Sequence, residues 1–272
     1  LSRTLFGYPD KEMTTIAITG TKGKTTSSTM IQHILNVSGK ECGLIGTMGV
    51  FYLDKFYHTM NTSPESYDVF KYMREMLDHG VHYLVMEVSS QSLKLKRWVN
   101  VIFDYAIFTN LSLDHVGGDE HESFNDYKYC KSLLFKQCKV GIFNLDSEYA
   151  SDMMEGTICD KYYYGKDNRA NYRLVECSNV IKNGFTGIEM ETDGKIQDTF
   201  MVSILGTFTA YNALAAISVC DLLGVSISDV KRALEVVKVK GRMESVSVSS
   251  KCSVVIDYAY QGIAMENVLK TV

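Results

Sequence analysis

The sequence predicts an α/β protein: a mostly parallel sheet with a phosphate-binding loop and flanking helices, plus a smaller antiparallel β insertion. Three observations carry that prediction. Short β-branched or aromatic runs at 15–19, 83–88, 102–108, 139–143 and 161–164 alternate with helical patterns, as when helices connect parallel strands. The first run opens into a loop of glycine and lysine that leads into an amphipathic stretch. The segment from Asn171 to Ile204 alternates polar and apolar residues around Asn183-Gly184 and Asp193-Gly194, two hairpin turn signals.

Taken in order, residues 14–28 read TTIAITGTKGKTTSS. Ile16, Ala17 and Ile18 form a buried strand, and Gly20 and Gly23 let the backbone turn tightly. Lys24 can then reach the outer phosphates of a nucleotide, and Thr25 can place its hydroxyl on Mg²⁺. The spacing departs from the usual G-x-x-x-x-G-K-[ST], whose first glycine would fall at Ile18 and stands at Gly20 instead. The alternative is a glycine-rich turn with a solvated lysine. The helix that follows carries Met30, Ile31, Ile34 and Leu35 on one face. Ser63-Pro64 reads as the N-cap and first residue of a covering helix bearing Val69, Phe70, Met73, Met76 and Leu77. Further on, Thr209 to Leu223 is an alanine-rich helix, Ser226 to Val237 a second one, and Val246 to Ile256 returns to strand alternation.

Composition narrows the class without naming a function. A chain of 272 residues with 46% hydrophobic and 22% charged content suits one large domain, or one domain plus a fragment. The net charge of -4 and the lack of a basic cluster argue against a nucleic-acid partner. Seven widely spaced cysteines without a C-x-x-C pair read as reduced core thiols rather than a disulfide framework or a zinc site. No long apolar run or signal-peptide pattern is present, so no membrane association is expected, and the expected location is cytoplasmic.

Two further constellations carry chemistry. In YLVMEVSSQSLKLKR at 83–97 a buried strand ends in Glu87, well placed to hold Mg²⁺ beside the phosphate loop. The other reading is an exposed glutamate in an ordinary salt bridge. In FTNLSLDHVGGDEHESFNDYKYCKSLLF at 108–135, Asp114, His115, Asp119, Glu120 and His121 sit in a glycine-containing loop, and Lys131 follows on a helix. Singly, such residues are ordinary surface groups. Following a third parallel strand, they sit where open sheets bind ligands.

Together these motifs resemble the central, ATP-binding domain of the Mur ligases, in the branch of the tripeptide synthetases. GTKGKTT at 20–26, NTSPE at 61–65, MEVSSQ at 86–91, TNLSLDH with EH and YKYCK at 109–131, and GRMES then DYA at 241–259 occur in that family's order. The resemblance covers residues 14–272. It divides the chain into a residual N-terminal linker at 1–13, the central domain at 14–240, and a hinge with the beginning of a C-terminal ligase domain at 241–272.

The resemblance implies transfer of the ATP γ-phosphate to the terminal carboxylate of UDP-MurNAc-L-Ala-D-Glu. An incoming amine then attacks the acyl phosphate to form an amide. Gly20, Thr21, Lys22, Gly23, Lys24, Thr25 and Thr26 would hold the nucleotide, with Asn212 on adenine and Arg242 and Asp257 at the hinge. Thr25 and Glu87 would hold one Mg²⁺, and His115 with Lys131 the second. Lys24, Lys131 and His115 form the implied catalytic set. In this family the lysine at the Lys131 position is carbamylated, which turns an ammonium into an anionic oxygen ligand; an ammonium cannot bind a metal. Thr62, Ser63, Ser89 and Arg97 would contact the muramoyl peptide, the arginine suiting a bidentate grip on carboxylate.

The loop DHVGGDEH is two residues longer than the DHLDYH of many relatives, and Gln91 follows the paired serines. Both resemble the branch that adds L-lysine rather than meso-diaminopimelate. Thr209 stands where the family usually has Asn, and Tyr260 where it usually has His. Family members also carry a uridine-nucleotide domain before the loop and an amino-acid-binding domain after the hinge. The expectation is therefore that these 272 residues bind Mg-ATP but ligate poorly alone. The alternatives are an ATP-binding, non-ligating remnant or partner subunit, a ligase like folylpolyglutamate synthetase, and a phosphate-loop kinase or GTPase, although no N-K-x-D guanine motif is present.

Overall fold

The computed structural model describes all residues except 114–119, 183–184, 250–251, 260–261 and 272. After a short helix α1 (Ser2–Leu5), the chain runs β1 (Thr14–Thr19), α2 (Lys24–Val37), β2 (Cys42–Gly46), β3 (Gly49–Tyr52), β4 (Lys55–Tyr57), α3 (Ser66–Asp78), β5 (Tyr83–Glu87), α4 (Ser90–Lys94), β6 (Phe103–Phe108) and α5 (Phe124–Ser132). It continues through β7 (Cys138–Asn144), α6 (Ala150–Met154), β8 (Asp160–Gly165), β9 (Tyr172–Lys182), β10 (Phe185–Gly194), β11 (Asp198–Val202), α7 (Thr209–Leu222), α8 (Ile227–Leu234), β12 (Glu244–Ser249), β13 (Cys252–Ile256) and α9 (Gly262–Thr271).

Eleven strands form one sheet in the order β11-β10-β9-β8-β7-β6-β1-β5-β2-β3-β4. The strands from β8 to β2 pair in parallel, with β1 between β5 and β6. The chain thus reverses its direction of travel across the sheet at β1. At such a switch point the loops after neighbouring strands part and leave a crevice at their carboxyl ends. The five runs predicted as strands are β1, β5, β6, β7 and β8. The antiparallel segment 171–204 continues this same sheet, because β9 pairs in parallel with β8 through Tyr164↔Tyr172 and Gly165↔Arg173.

Alternation along the strands supplies two cores. Ile16 and Ile18 join α2, α7 and α8 on one face, while Ala17 joins α3, α4 and α5 on the other. Because both faces are covered, the central strands carry continuous apolar runs in their middles, and Ile16, Ala17 and Ile18 have no exposed surface. Helix α7 packs Ala213, Ala215, Ala216 and Ile217 into the first core, and its small side chains let it lie close to α2.

Two local readings change. Helix α3 begins at Ser66 with Glu65 as N-cap, so Ser63 does not cap it; the Ser63 hydroxyl is used by the neighbouring strand β5 instead. The alternation at 246–256 is a hairpin, β12 with β13, in its own two-stranded sheet. The turn signal Asn183-Gly184 lies outside the described residues, while Asp193-Gly194 ends β10, with Gly194 at φ +89°. Cys42, Cys130, Cys138, Cys159 and Cys220 are buried free thiols. No helix among the described residues is long and apolar enough to cross a membrane.

Candidate active site

The loop after β1 is braced from β6. Thr21 N donates to Asn110 O at 2.9 Å, Lys22 N donates to Asn110 Oδ1 at 2.9 Å, and Thr109 Oγ1 donates to Lys22 O at 2.7 Å. Any side chain at Gly20 would collide with the Thr109 hydroxyl, and one at Gly23 with the Asn212 amide. Gly23 is also the N-cap of α2, at φ +86°. These constraints leave the loop backbone and the first turn of α2 lining the crevice, the geometry that receives phosphate oxygens. Lys24 Nζ donates to Gly20 O at 2.9 Å and to Thr21 O at 3.2 Å, folding over the loop it belongs to.

Glu87 ends β5 with no exposed surface, so the reading of an exposed salt bridge is ruled out. Its carboxylate accepts from Thr25 Oγ1 at 3.0 Å, Thr47 N at 3.0 Å and Thr47 Oγ1 at 3.0 Å. These donors are all neutral, and a buried carboxylate among them beside the loop after β1 fits a divalent cation. Lys131 is 2% exposed, lies 4.6 Å from the centre of the Tyr127 ring and donates to Gly20 O at 3.0 Å. The Tyr127 hydroxyl in turn lies 3.1 Å from Thr21 Oγ1.

Beside this centre is a polar group around Ser63. Its hydroxyl donates to Glu87 O at 2.8 Å and accepts from Ser89 N at 3.0 Å, while Arg97 donates to Ser63 O at 2.8 Å. Arg97 also pairs with Glu65, and its Nε is buried without a hydrogen-bond partner. Thr62 Oγ1 lies 3.1 Å from Thr47 Oγ1, which links this group to the Glu87 carboxylate.

The expected residues Gly20 to Thr26, Glu87, Lys131, Thr62, Ser63, Ser89 and Arg97 therefore come together. Asn212 meets the phosphate loop itself, against Gly23, with Ser27 Oγ donating to its Oδ1 at 3.5 Å. His115 lies outside the described residues, as does Tyr260. Arg242 and Asp257 make local contacts at the start of the hairpin: the guanidinium stands 5.6 Å from the Tyr258 ring, and Asp257 accepts from Met243 N at 2.8 Å. Thr209, the first residue of α7, is fully buried and donates to Leu205 O at 3.0 Å in the segment before the helix.

Sequence reasoning missed Thr47, Thr109 and Asn110. The last two stand in the TNLSLDH motif directly after a strand, a position that was itself the signal. Thr47 follows β2, whose run CGLIG is short and glycine-bracketed.

His121, read as a possible metal ligand, has both ring nitrogens engaged, by Asp126 at 3.0 Å and Ser90 at 2.9 Å. With Cys130 it forms a group whose ligand atoms all lie within 4.8 Å of one another. The Lys94 ammonium already sits 2.7 Å from Asp126, and burial pushes the Cys130 thiol up to about 11. A cation and a protonated thiol therefore stand where a metal centre needs vacancy and a thiolate.

The model of the Mur ligase middle domain matches residues 18–220. This chain belongs to the Mur ligase family. It is similar to the diaminopimelate ligase of UDP-N-acetylmuramoyl-L-alanyl-D-glutamate from Caldanaerobacter subterraneus subsp. tengcongensis, at 39% identity over 99% of the chain and 55% of that protein. It is also similar to the corresponding L-lysine ligase from Streptococcus thermophilus, at 34% identity over 100% of the chain and 55% of that protein. Among solved structures, a diaminopimelate ligase with the same muramoyl substrate in its name superimposes with a TM-score of 0.85 at 24% identity, over 99% of this chain and 56% of that one. The chain thus spans about half the length of the curated relatives it matches. Mur ligases that add either amino acid are similar to it along its whole length.

Proposed function

We propose that this chain is the nucleotide-binding part of an ATP-dependent ligase that adds the third amino acid to UDP-MurNAc-L-Ala-D-Glu. The observation that carries the reading is the convergence of the phosphate loop, the buried Glu87 carboxylate and the Lys131 amine at the carboxyl ends of β1 and β5. Phosphoryl transfer to a carboxylate brings two anions together, so the site must supply cationic charge and fixed donors.

In this reading Lys24 swings from the Gly20 and Thr21 carbonyls to the β- and γ-phosphates, and the amides of the loop hold the oxygens between them. Thr25 and Glu87 hold Mg²⁺, which when bound neutralises phosphate charge. His115 and Lys131, the latter carbamylated, hold a second ion. Thr62, Ser63, Ser89 and Arg97 orient the muramoyl peptide so that its terminal carboxylate faces the γ-phosphate. The acyl phosphate is then open to the incoming amine. Arg242 and Asp257 act at the hinge, and Asn212 borders the nucleotide. We take the amine to be L-lysine rather than meso-diaminopimelate on the strength of the longer 114–121 loop and Gln91.

Calorimetric titration tests the first step. Mg-ATP binds the intact chain in preference to Mg-GTP, and Lys24→Ala weakens ATP by about tenfold or more, the loss of a charge-assisted contact to phosphate. No binding by the intact chain would sink the nucleotide assignment. Chromatography of mixtures with muramoyl dipeptide and each amino acid reads the acceptor preference.

A further inference from the structure

His121 is 1% exposed, and the nucleotide reading leaves it without a task. Its Nδ1 lies 3.0 Å from Asp126 Oδ2. A carboxylate only accepts, so Nδ1–H donates to it, and Nε2 is hydrogen-bonded with the Ser90 hydroxyl, 2.9 Å away. Asp126 is fixed a second time by Lys94, 2.7 Å away. Ser90 and Lys94 are the first and last residues of α4, so both ends of this one-turn helix are tied to α5 through a single carboxylate. The imidazole also stands edge-on to Tyr127, 5.1 Å between centroids, and Tyr127 reaches the phosphate loop at Thr21.

The residue before Ser90 is Ser89, the N-cap of α4, whose hydroxyl accepts from Ser92 N at 3.1 Å. We propose that His121 is a positioning residue: held by Asp126, it fixes the first turn of α4 through Ser90 and so presents Ser89 to the muramoyl peptide in register with the phosphate loop. The proposal rests on the preceding assignment of Ser89 to that substrate. A five-residue helix has too few internal hydrogen bonds to hold itself, so an external tether decides whether its first turn persists.

Two variants test it in the full 272-residue chain: His121→Ala, and Ser90→Ala, which removes only a hydroxyl and keeps the test open if the first variant fails to fold. Hydrogen exchange across 89–97 should accelerate by about tenfold or more in each, with α5 protection retained. Mg-ATP affinity should stay within about twofold, while affinity for UDP-MurNAc-L-Ala-D-Glu falls by about fivefold or more. The double variant should cost no more than His121→Ala alone, since both changes cut one relay. Unchanged exchange in α4, or equal loss of nucleotide and dipeptide affinity, overturns the proposal. Failure of the unmodified chain to bind the dipeptide counts against the functional reading instead, and the exchange data still decide the relay.

Discussion

Glu87 is buried, and the hydrogen bonds to its carboxylate come from the neutral donors of Thr25 and Thr47. Removing the charge should therefore cost the fold nothing while costing function. For Glu87→Gln we expect a urea midpoint equal to or above that of the parent, with Mg-ATP affinity lower by about tenfold or more. A large drop in midpoint would show that the carboxylate is structural.

Asp126 gives the opposite case. The Lys94 ammonium first, and His121 after it, holds its carboxyl well below the usual carboxylate range. A depressed folded value adds stability above the unfolded value of about 3.9 and loses it as pH falls through the folded one. The stability gap between the parent and Asp126→Asn should be constant from about pH 7 to 5 and close below about pH 4, read from urea midpoints. At this scale the sequence pointed to Lys24, Thr25 and Glu87 by their places at a strand end or in the loop after β1, and the structure brings Thr25 and Glu87 into hydrogen-bond contact there. Thr47 was hidden, since its role comes from approach across the sheet, where Gly46 leaves room for the Glu87 carboxylate.

Helices announce themselves when periodicity and cap agree. Helix α8 begins after Ser226, whose hydroxyl accepts from Asp229 N at 3.1 Å, and its start was readable. Ser226→Ala should lower unfolding free energy by about 1 kcal/mol, measured by urea denaturation, and no change would mean that packing alone holds this terminus. Ser63 offered the same kind of signal and misled, because its hydroxyl is used by β5 and Ser89 rather than by α3. A cap is a local pattern, and a stronger partner distant in sequence overrides it. Strands β2, β3 and β4 escaped because they are three to five residues long, too short for alternation to register, and β2 and β3 also carry glycine. The 246–256 run misled by its length, since alternation does not reveal that a strand folds back on itself.

For the whole molecule, the order of the parallel strands decides both stability and site. Strand β1 is paired on both sides and covered on both faces, so its amides open only when the sheet does. Strand β4 pairs only with β3 at the sheet's edge, and its Phe56 is exposed. The β12–β13 hairpin shares no pairing with the main sheet. The sequence predicted the alternation that produces such a sheet, but not that the antiparallel segment would extend it, because edge pairing between β8 and β9 rests on two residues. Native-state hydrogen exchange should therefore separate the chain into tiers. Amides of Ile16 to Ile18 should exchange at the global opening rate, and those of β4 and β12–β13 roughly a hundredfold faster or more. Equal protection in β1 and β12–β13 would mean that the hairpin opens with the main sheet. Faster exchange in β1 than in β4 would mean that the phosphate loop sits on the weakest part of the sheet rather than its strongest. The expected ordering places the loop after β1 on the strand with the least freedom to move, and the β12–β13 hairpin among the elements that open first.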